Sequence, residues 1–138
     1  MEISELRLKD LQPSQLYISE EKLRAVEEWL DASDLSNFEP IPIKLLDNRP
    51  VITDGHTRAV AALRAGLDTV PLVWDEDELP LDMYRACVAA CREQGIKSPE
   101  DLLARIVSED VYREKWYKWC EGMQEALAQN EIVIKPYT

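Results

Sequence analysis

The chain has 138 residues, 46% hydrophobic and 31% charged, the size and balance of a folded domain rather than a disordered segment. Sixteen Lys and Arg stand against 27 Asp and Glu, and the net charge of −11 argues against a protein that binds nucleic acid by neutralising phosphates. No apolar run approaches the roughly 18 residues of a membrane-crossing helix, the opening MEISELRLKD lacks a charged-then-apolar leader, and three Cys at unpaired spacings suit reduced thiols, so a cytoplasmic protein is expected.

From Ile3 to Leu8 apolar and polar residues alternate, which predicts a half-buried strand. Pro13 and Ser14 break it, and Leu16-Tyr17-Ile18 is a short apolar piece. Ser19 before Glu20 and Glu21 is a helix start, because its hydroxyl can accept an orphan N–H and the acids favour the positive end. Leu23, Val26, Trp29 and Leu30 recur at helical spacing, so a helix is predicted over about 20–31. Residues 32–40 read as a loop. Ile41–Leu46 reads as a strand, with Pro42 confining it to an edge or a strand start. Asp47–Pro50 is a turn, Val51–Thr53 a second strand, and the two make a hairpin that Asp54-Gly55 ends.

Helix formers then fill 57–65, with Gly66 where a C-terminal glycine belongs. Val70–Trp74 is another strand, and Asp75–Glu78 an acidic link. The remainder reads as helical. Leu81, Tyr84, Val88 and Cys91 form a stripe after Pro80, and Gly95 stops that helix. Ser98-Pro99 starts the next, with Leu102, Leu103 and Ile106 inward. Tyr112, Trp116, Trp119, Met123 and Leu127 stripe a long last helix, and Ile132–Ile134 is expected as a closing strand. Cys87 and Cys91, four apart on one helix, read as buried thiols. Cys120 stands apart, and one His is too few for an ordinary zinc site. The class is α+β: a small mixed sheet over 1–78, with a helical C-terminal extension over 79–138 packed on it.

The chemistry concentrates in Asp54-Gly55-His56-Thr57-Arg58, at a strand-to-helix junction. Such a junction offers free backbone N–H groups and the positive helix end. Gly55 permits a sharp turn, Thr57 offers a hydroxyl, Arg58 a planar fork for phosphate or carboxylate, and His56 a switchable imidazole. These residues make an anion cradle. The competing reading is an ordinary turn in which Asp54 caps the helix and Arg58 pairs with an acid.

The block from Pro40 to Trp74 resembles the ParB/sulfiredoxin family. The likeness lies in Glu39-Pro40-Ile41, Val51-Ile52-Thr53, Gly55-His56-Thr57-Arg58, Gly66 and Val70-Pro71, in order, and extends over roughly residues 3–75. It implies a nucleotide, ATP or CTP, whose phosphates are cradled by Gly55, His56, Thr57 and Arg58. The free-serine kinase of this family has an Asp-Gly-Thr-His-Arg element close to Asp54–Arg58, with the middle pair swapped. That branch implies ATP-dependent phosphotransfer to a small hydroxyl substrate, with Glu39 and Asp54 as the carboxylates for base work and Mg²⁺ contact. The sulfiredoxin nucleophile is missing, because His56 aligns with its cysteine. ParB proteins continue into helix-turn-helix and dimerisation domains that this sequence is too short to hold. A noncatalytic regulatory or protein-interaction module is therefore the alternative, through a homodimer or partner contact of the C-terminal helices, or beside a separate DNA-binding partner; no direct contact with nucleic acid or membrane is expected.

Overall fold

The computed structural model describes residues 2–134. Its first segment departs from the alternation in the sequence. Two short 3₁₀ turns, Ile3–Glu5 and Leu8–Asp10, replace the strand expected over 3–8. Leu6, Leu8 and Leu11 are buried at uneven spacing, with Ser4 and Glu5 both exposed, so they belong to a coil pressed on the core and not to a strand. The Leu8 N–H goes to the Asp68 carbonyl (2.9 Å), and Asp10 Oδ2 accepts the Arg7 N–H (2.9 Å), which closes the second turn instead of a ladder.

β1 (Ile18–Ser19) leads directly into α1 (Glu20–Trp29), and Ser19 Oγ accepts the Lys22 N–H at 3.3 Å, as its position predicts. β2 (Ile41–Leu46) and β3 (Arg49–Ile52) form an antiparallel hairpin. Asp47 and Asn48 turn it with φ of 51° and 66°, a left-handed pair that these two residue types tolerate. Gln12 bridges the outer edge of β3, donating its N–H to the Pro50 carbonyl and accepting from Ile52, both at 2.9 Å.

α2 (His56–Arg64) follows, and β4 (Leu72–Trp74) then runs parallel to β2 on its other side, so the sheet order is β3-β2-β4. β2 is thus central and not an edge, and Pro42 is its second residue, at the strand start. The cost of that placement is local. Thr53 donates its N–H to the Pro42 carbonyl (3.1 Å), but proline has no N–H to return. The Tyr84 hydroxyl, arriving from α3 (Leu81–Glu93), donates to the Thr53 carbonyl instead, at 3.1 Å.

Gly95, at φ 80°, ends α3, and Ile96 returns its N–H to the Cys91 carbonyl at 2.8 Å. The next turn, Pro99–Arg105, is 3₁₀ rather than α, with Ser98 and Asp101 forming its capping box. Leu102 is buried as expected, whereas Leu103 is 39% exposed. The tighter three-residue period puts adjacent positions on different faces. β5 (Ile106–Val107) pairs in parallel with β1, a two-strand sheet not foreseen in the sequence. A continuous helical run closes the chain: α4 (Glu109–Tyr112), a π-helical stretch (Arg113–Tyr117) and α5 (Lys118–Ile134). The strand expected at 132–134 is the last turn of α5, a helix that gains one bond per added residue once under way.

Packing explains why α2 sits where it does. Ala59 and Ala62 join an apolar cluster with Leu8, Leu11, Ile41, Ile43 and Ile52 of the sheet side. Val60 and Ala61 join a second cluster with Leu16, Ile18 and Leu23 and with Cys87, Cys91, Ile96, Leu102, Tyr112 and Trp116. The small side chains let α2 lie close to both layers, and its N-terminal end becomes a fixed point. Among the described residues no helix is long and apolar enough to cross a membrane.

Candidate functional site

β3 ends at Ile52 and α2 begins at His56, so Thr53, Asp54 and Gly55 make the junction. Both sides of Thr53 are held: its hydroxyl donates to Asp75 Oδ2 (2.7 Å), and its carbonyl takes the Tyr84 hydroxyl. Gly55 occupies the cap position with φ 84° and ψ 25°, a left-handed conformation, and no side chain caps the helix. Asp54 is therefore exposed in the turn rather than capping. The first bond of the helix runs from the Ala59 N–H to the Gly55 carbonyl (3.0 Å), which leaves the N–H groups of His56, Thr57 and Arg58 without helical acceptors. This end carries the positive pole of the helix.

Arg58 folds back over Gly55. A Cβ at Gly55 would stand 2.5 Å from Arg58 Nη2, so a side chain there would displace the guanidinium from its place, besides straining the backbone at this φ. Arg58 Nη1 donates to the Glu39 and Pro40 carbonyls, the latter at 3.2 Å, and lies 3.9 Å from Glu39 Oε2. The arginine side chain is only 13% exposed, while that of Glu39 is 84% exposed. Arg58 thus clamps the start of β2 onto the start of α2, and its Nη2 and Nε are free of protein acceptors among the described residues.

His56 departs from its expected role as a switch. It is 5% exposed, and its Nε2 accepts the Ser14 N–H at 2.9 Å, which requires the ring proton on Nδ1. Burial pushes its pKa down from 6.5 to about 3. The imidazole is a neutral anchor for the Gln12–Ser14 segment, whose Ser14 hydroxyl in turn donates to the Ile52 carbonyl (2.7 Å).

A cavity of about 370 Å³ opens at this junction. Its wall includes Glu39, Asp54, Gly55, His56, Thr57 and Arg58, so every residue singled out in the sequence meets there. Lys22, Val26 and Trp29 of α1, together with Gln15 and Tyr112, complete it. Lys22 went unnoticed in the sequence, where it reads as a solvated helix charge. Its Nζ donates to the Tyr117 hydroxyl (2.9 Å) and lies 4.6 Å from the centre of the Tyr112 ring. The only local signal is spacing: Lys22, Val26 and Trp29 lie on one face of α1. Two cations, Lys22 and Arg58, and two carboxylates, Glu39 and Asp54, line the cavity together with the first turn of α2.

The thiols lie apart from this cavity. Burial pushes Cys87 and Cys91 up to about 12 and Cys120 to about 11, which keeps all three protonated and unreactive. Tyr112 and Trp116 are buried, and Trp119 stacks on Trp116 with centroids 5.5 Å apart. This much of the aromatic stripe is core. Among the described residues no group of three or more His, Cys, Asp or Glu side chains is arranged to hold a metal ion.

No protein-family model and no curated protein matches the chain. Among solved structures it is similar to the crystal structure of protein Atu1540 from Agrobacterium tumefaciens, with 17% sequence identity and a TM-score of 0.40. The alignment covers 68% of this chain and 48% of that one, so the chain spans about half of that protein's length. A likeness this loose carries no assignment of family or activity.

Proposed function

We propose that the cavity at the start of α2 binds the phosphates of a nucleotide, ATP or CTP, as the sequence likeness to the ParB/sulfiredoxin family implies. One observation carries this reading: a single cavity of about 370 Å³, within the usual size range of ligand pockets, gathers Gly55, His56, Thr57 and Arg58 with Lys22. The phosphates are received by the amides of residues 56–58, by the free edge of Arg58 and by Lys22. His56 serves through its backbone alone.

Glu39 and Asp54 line the same cavity and suit phosphotransfer to a small hydroxyl acceptor. One of them orients the acceptor hydroxyl and takes its proton. The donor set also fits Mg²⁺, which commonly uses one or two carboxylates together with substrate phosphates and keeps several waters. When bound, that ion supplies charge neutralisation at the phosphates. It is needed here, because the two carboxylates offset the two cations. A cytoplasmic setting belongs to the same reading, supported by three unpaired thiols.

A second reading rests on Arg58. Its Nη1 is already committed to two backbone carbonyls, as in a structural clamp, and this favours a module that binds nucleotide without transferring phosphate. Association through the C-terminal helices is then the regulated event.

A thermal-shift series with ATP, ADP, CTP and GTP, each with and without Mg²⁺, tests the phosphate site. Lys22→Ala is the control of choice, since Lys22 is exposed on α1 and its loss leaves the clamp intact. A rise in Tm for ATP or CTP that Lys22→Ala abolishes is expected, because a ligand that binds only the native state stabilises it by mass action. No shift at millimolar nucleotide overturns the reading. Release of ADP in the presence of serine and related hydroxyl compounds, lost in Asp54→Asn or Glu39→Gln, separates the kinase from the module.

A further inference from the structure

Trp29 is the last residue of α1 and one of the largest exposed apolar side chains, at 46% exposure. Its place in the apolar series Leu23, Val26, Trp29 and Leu30 marks the helix, but the side chain does not enter the core. Instead, the Phe38 ring covers part of the indole, with centroids 6.0 Å apart and planes tilted by 60°, and the indole borders the phosphate cavity. An indole left half open to water beside a preformed cavity offers a π face on which a planar group that enters can stack.

The placement along α1 supplies a direction. Lys22 and Trp29 lie on one face of that helix, seven residues apart, which is about 10 Å along its axis. Val26 lies between them on the same wall. The wall is therefore cationic at one end, apolar in the middle and aromatic at the other end. That order matches an extended nucleotide: phosphates, sugar, base. The start of α2, with Gly55, Thr57 and Arg58, lines the same cavity.

We propose that Trp29 is the base-stacking residue of this site, so that its ligand is a nucleoside phosphate rather than a bare phosphate compound. The proposal rests on the phosphate-site reading above. Stacking on an indole is tolerant of base identity, because every base presents a π face. Trp29 thus sets the class of ligand, and not the choice between ATP and CTP.

The experiment is calorimetric titration of the full chain with ATP, CTP and inorganic tripolyphosphate, in wild type, Trp29→Leu and Trp29→Phe. Tripolyphosphate carries the phosphate contacts without a base. In wild type the nucleotides are expected to bind more tightly than tripolyphosphate. Trp29→Leu is expected to weaken ATP and CTP by roughly tenfold to a hundredfold, the worth of one stacked base, and to leave tripolyphosphate unchanged. Trp29→Phe keeps a ring and is expected to restore most of the loss, whereas a packing defect at the end of α1 would weaken nucleotide and tripolyphosphate alike. Equal weakening of nucleotide and tripolyphosphate, or no rescue by Phe, overturns the stacking role. Wild-type protein that binds tripolyphosphate as tightly as nucleotide overturns it too, while leaving the phosphate site standing. Wild-type protein that binds none of the three overturns both.

Discussion

His56 shows how burial rewrites the chemistry of a residue. Next to a glycine turn and an arginine, an imidazole reads as a switch. Accepting the Ser14 N–H inside the protein, it is held neutral with a pKa of about 3. The consequence for stability has a definite sign. The folded pKa lies below the unfolded value of about 6.5, so between those two pH values the unfolded chain binds more protons. This group leaves stability flat above pH 6.5, erodes it as pH falls toward 3, and adds no further loss below. The full loss is a few kcal/mol, at about 1.4 kcal/mol per pH unit. Because the chain has one His, its ring proton resonances in an NMR titration report it without ambiguity. They are expected to stay fixed between pH 8 and pH 4.5 in the folded protein, and a midpoint near 6.5 would refute the anchor role. Gly55 and Arg58 were legible as a pair from sequence. That the guanidinium folds back onto Gly55 was not. A contact between a backbone and a side chain three residues on depends on the rotamer, which no sequence pattern records.

Among the elements, β2 illustrates how a local rule is met from far away. Proline in a central strand forfeits one ladder bond, and the orphan is the Thr53 carbonyl. Tyr84, 31 residues further on, supplies the missing donor. Tyr84→Phe is therefore expected to cost about 1 kcal/mol in urea unfolding. In a Pro42→Val background, where residue 42 regains its N–H, the same change is expected to cost distinctly less. Additive costs in this double-mutant cycle would disprove the substitution of one donor for the other. The hairpin, α2 and α3 were readable because caps and turn residues mark their ends: Asp47-Asn48, Gly66 and Gly95 all take positive φ. The segment over 3–8 departs from a strand because its buried residues Leu6, Leu8 and Leu11 are unevenly spaced and its N–H groups close 3₁₀ turns instead of a ladder. Similarly, Ile132–Ile134 has strand composition, yet the helix already running through α5 carries it on.

Across the whole molecule, α2 is the hub, since its residues enter both large apolar clusters. The helical stretch beyond residue 78 supplies Cys87, Cys91, Ile96, Leu102, Tyr112 and Trp116 to the cluster that holds Leu16, Ile18 and Leu23. Each such side chain contributes about 1.5–3 kcal/mol by burial, so their joint loss is comparable with the roughly 5–15 kcal/mol net stability of a typical domain. A fragment ending at residue 78 is expected to expose that face, bind a hydrophobic dye and melt without cooperativity. A soluble fragment with a sharp thermal transition would show the first stretch to be self-sufficient. Sequence by itself determined the α+β class, the hairpin, the bounds of α2 and the glycine-centred turn with its neighbours, because each depends on residues within a few positions of one another. Only the tertiary structure decided that Glu39 and Lys22 share a cavity with that turn, that Trp29 borders it instead of joining the core, and that His56 is sealed and neutral. These outcomes depend on how α1, α2 and the last helices pack, and side-chain burial between distant elements leaves no periodic trace in the chain.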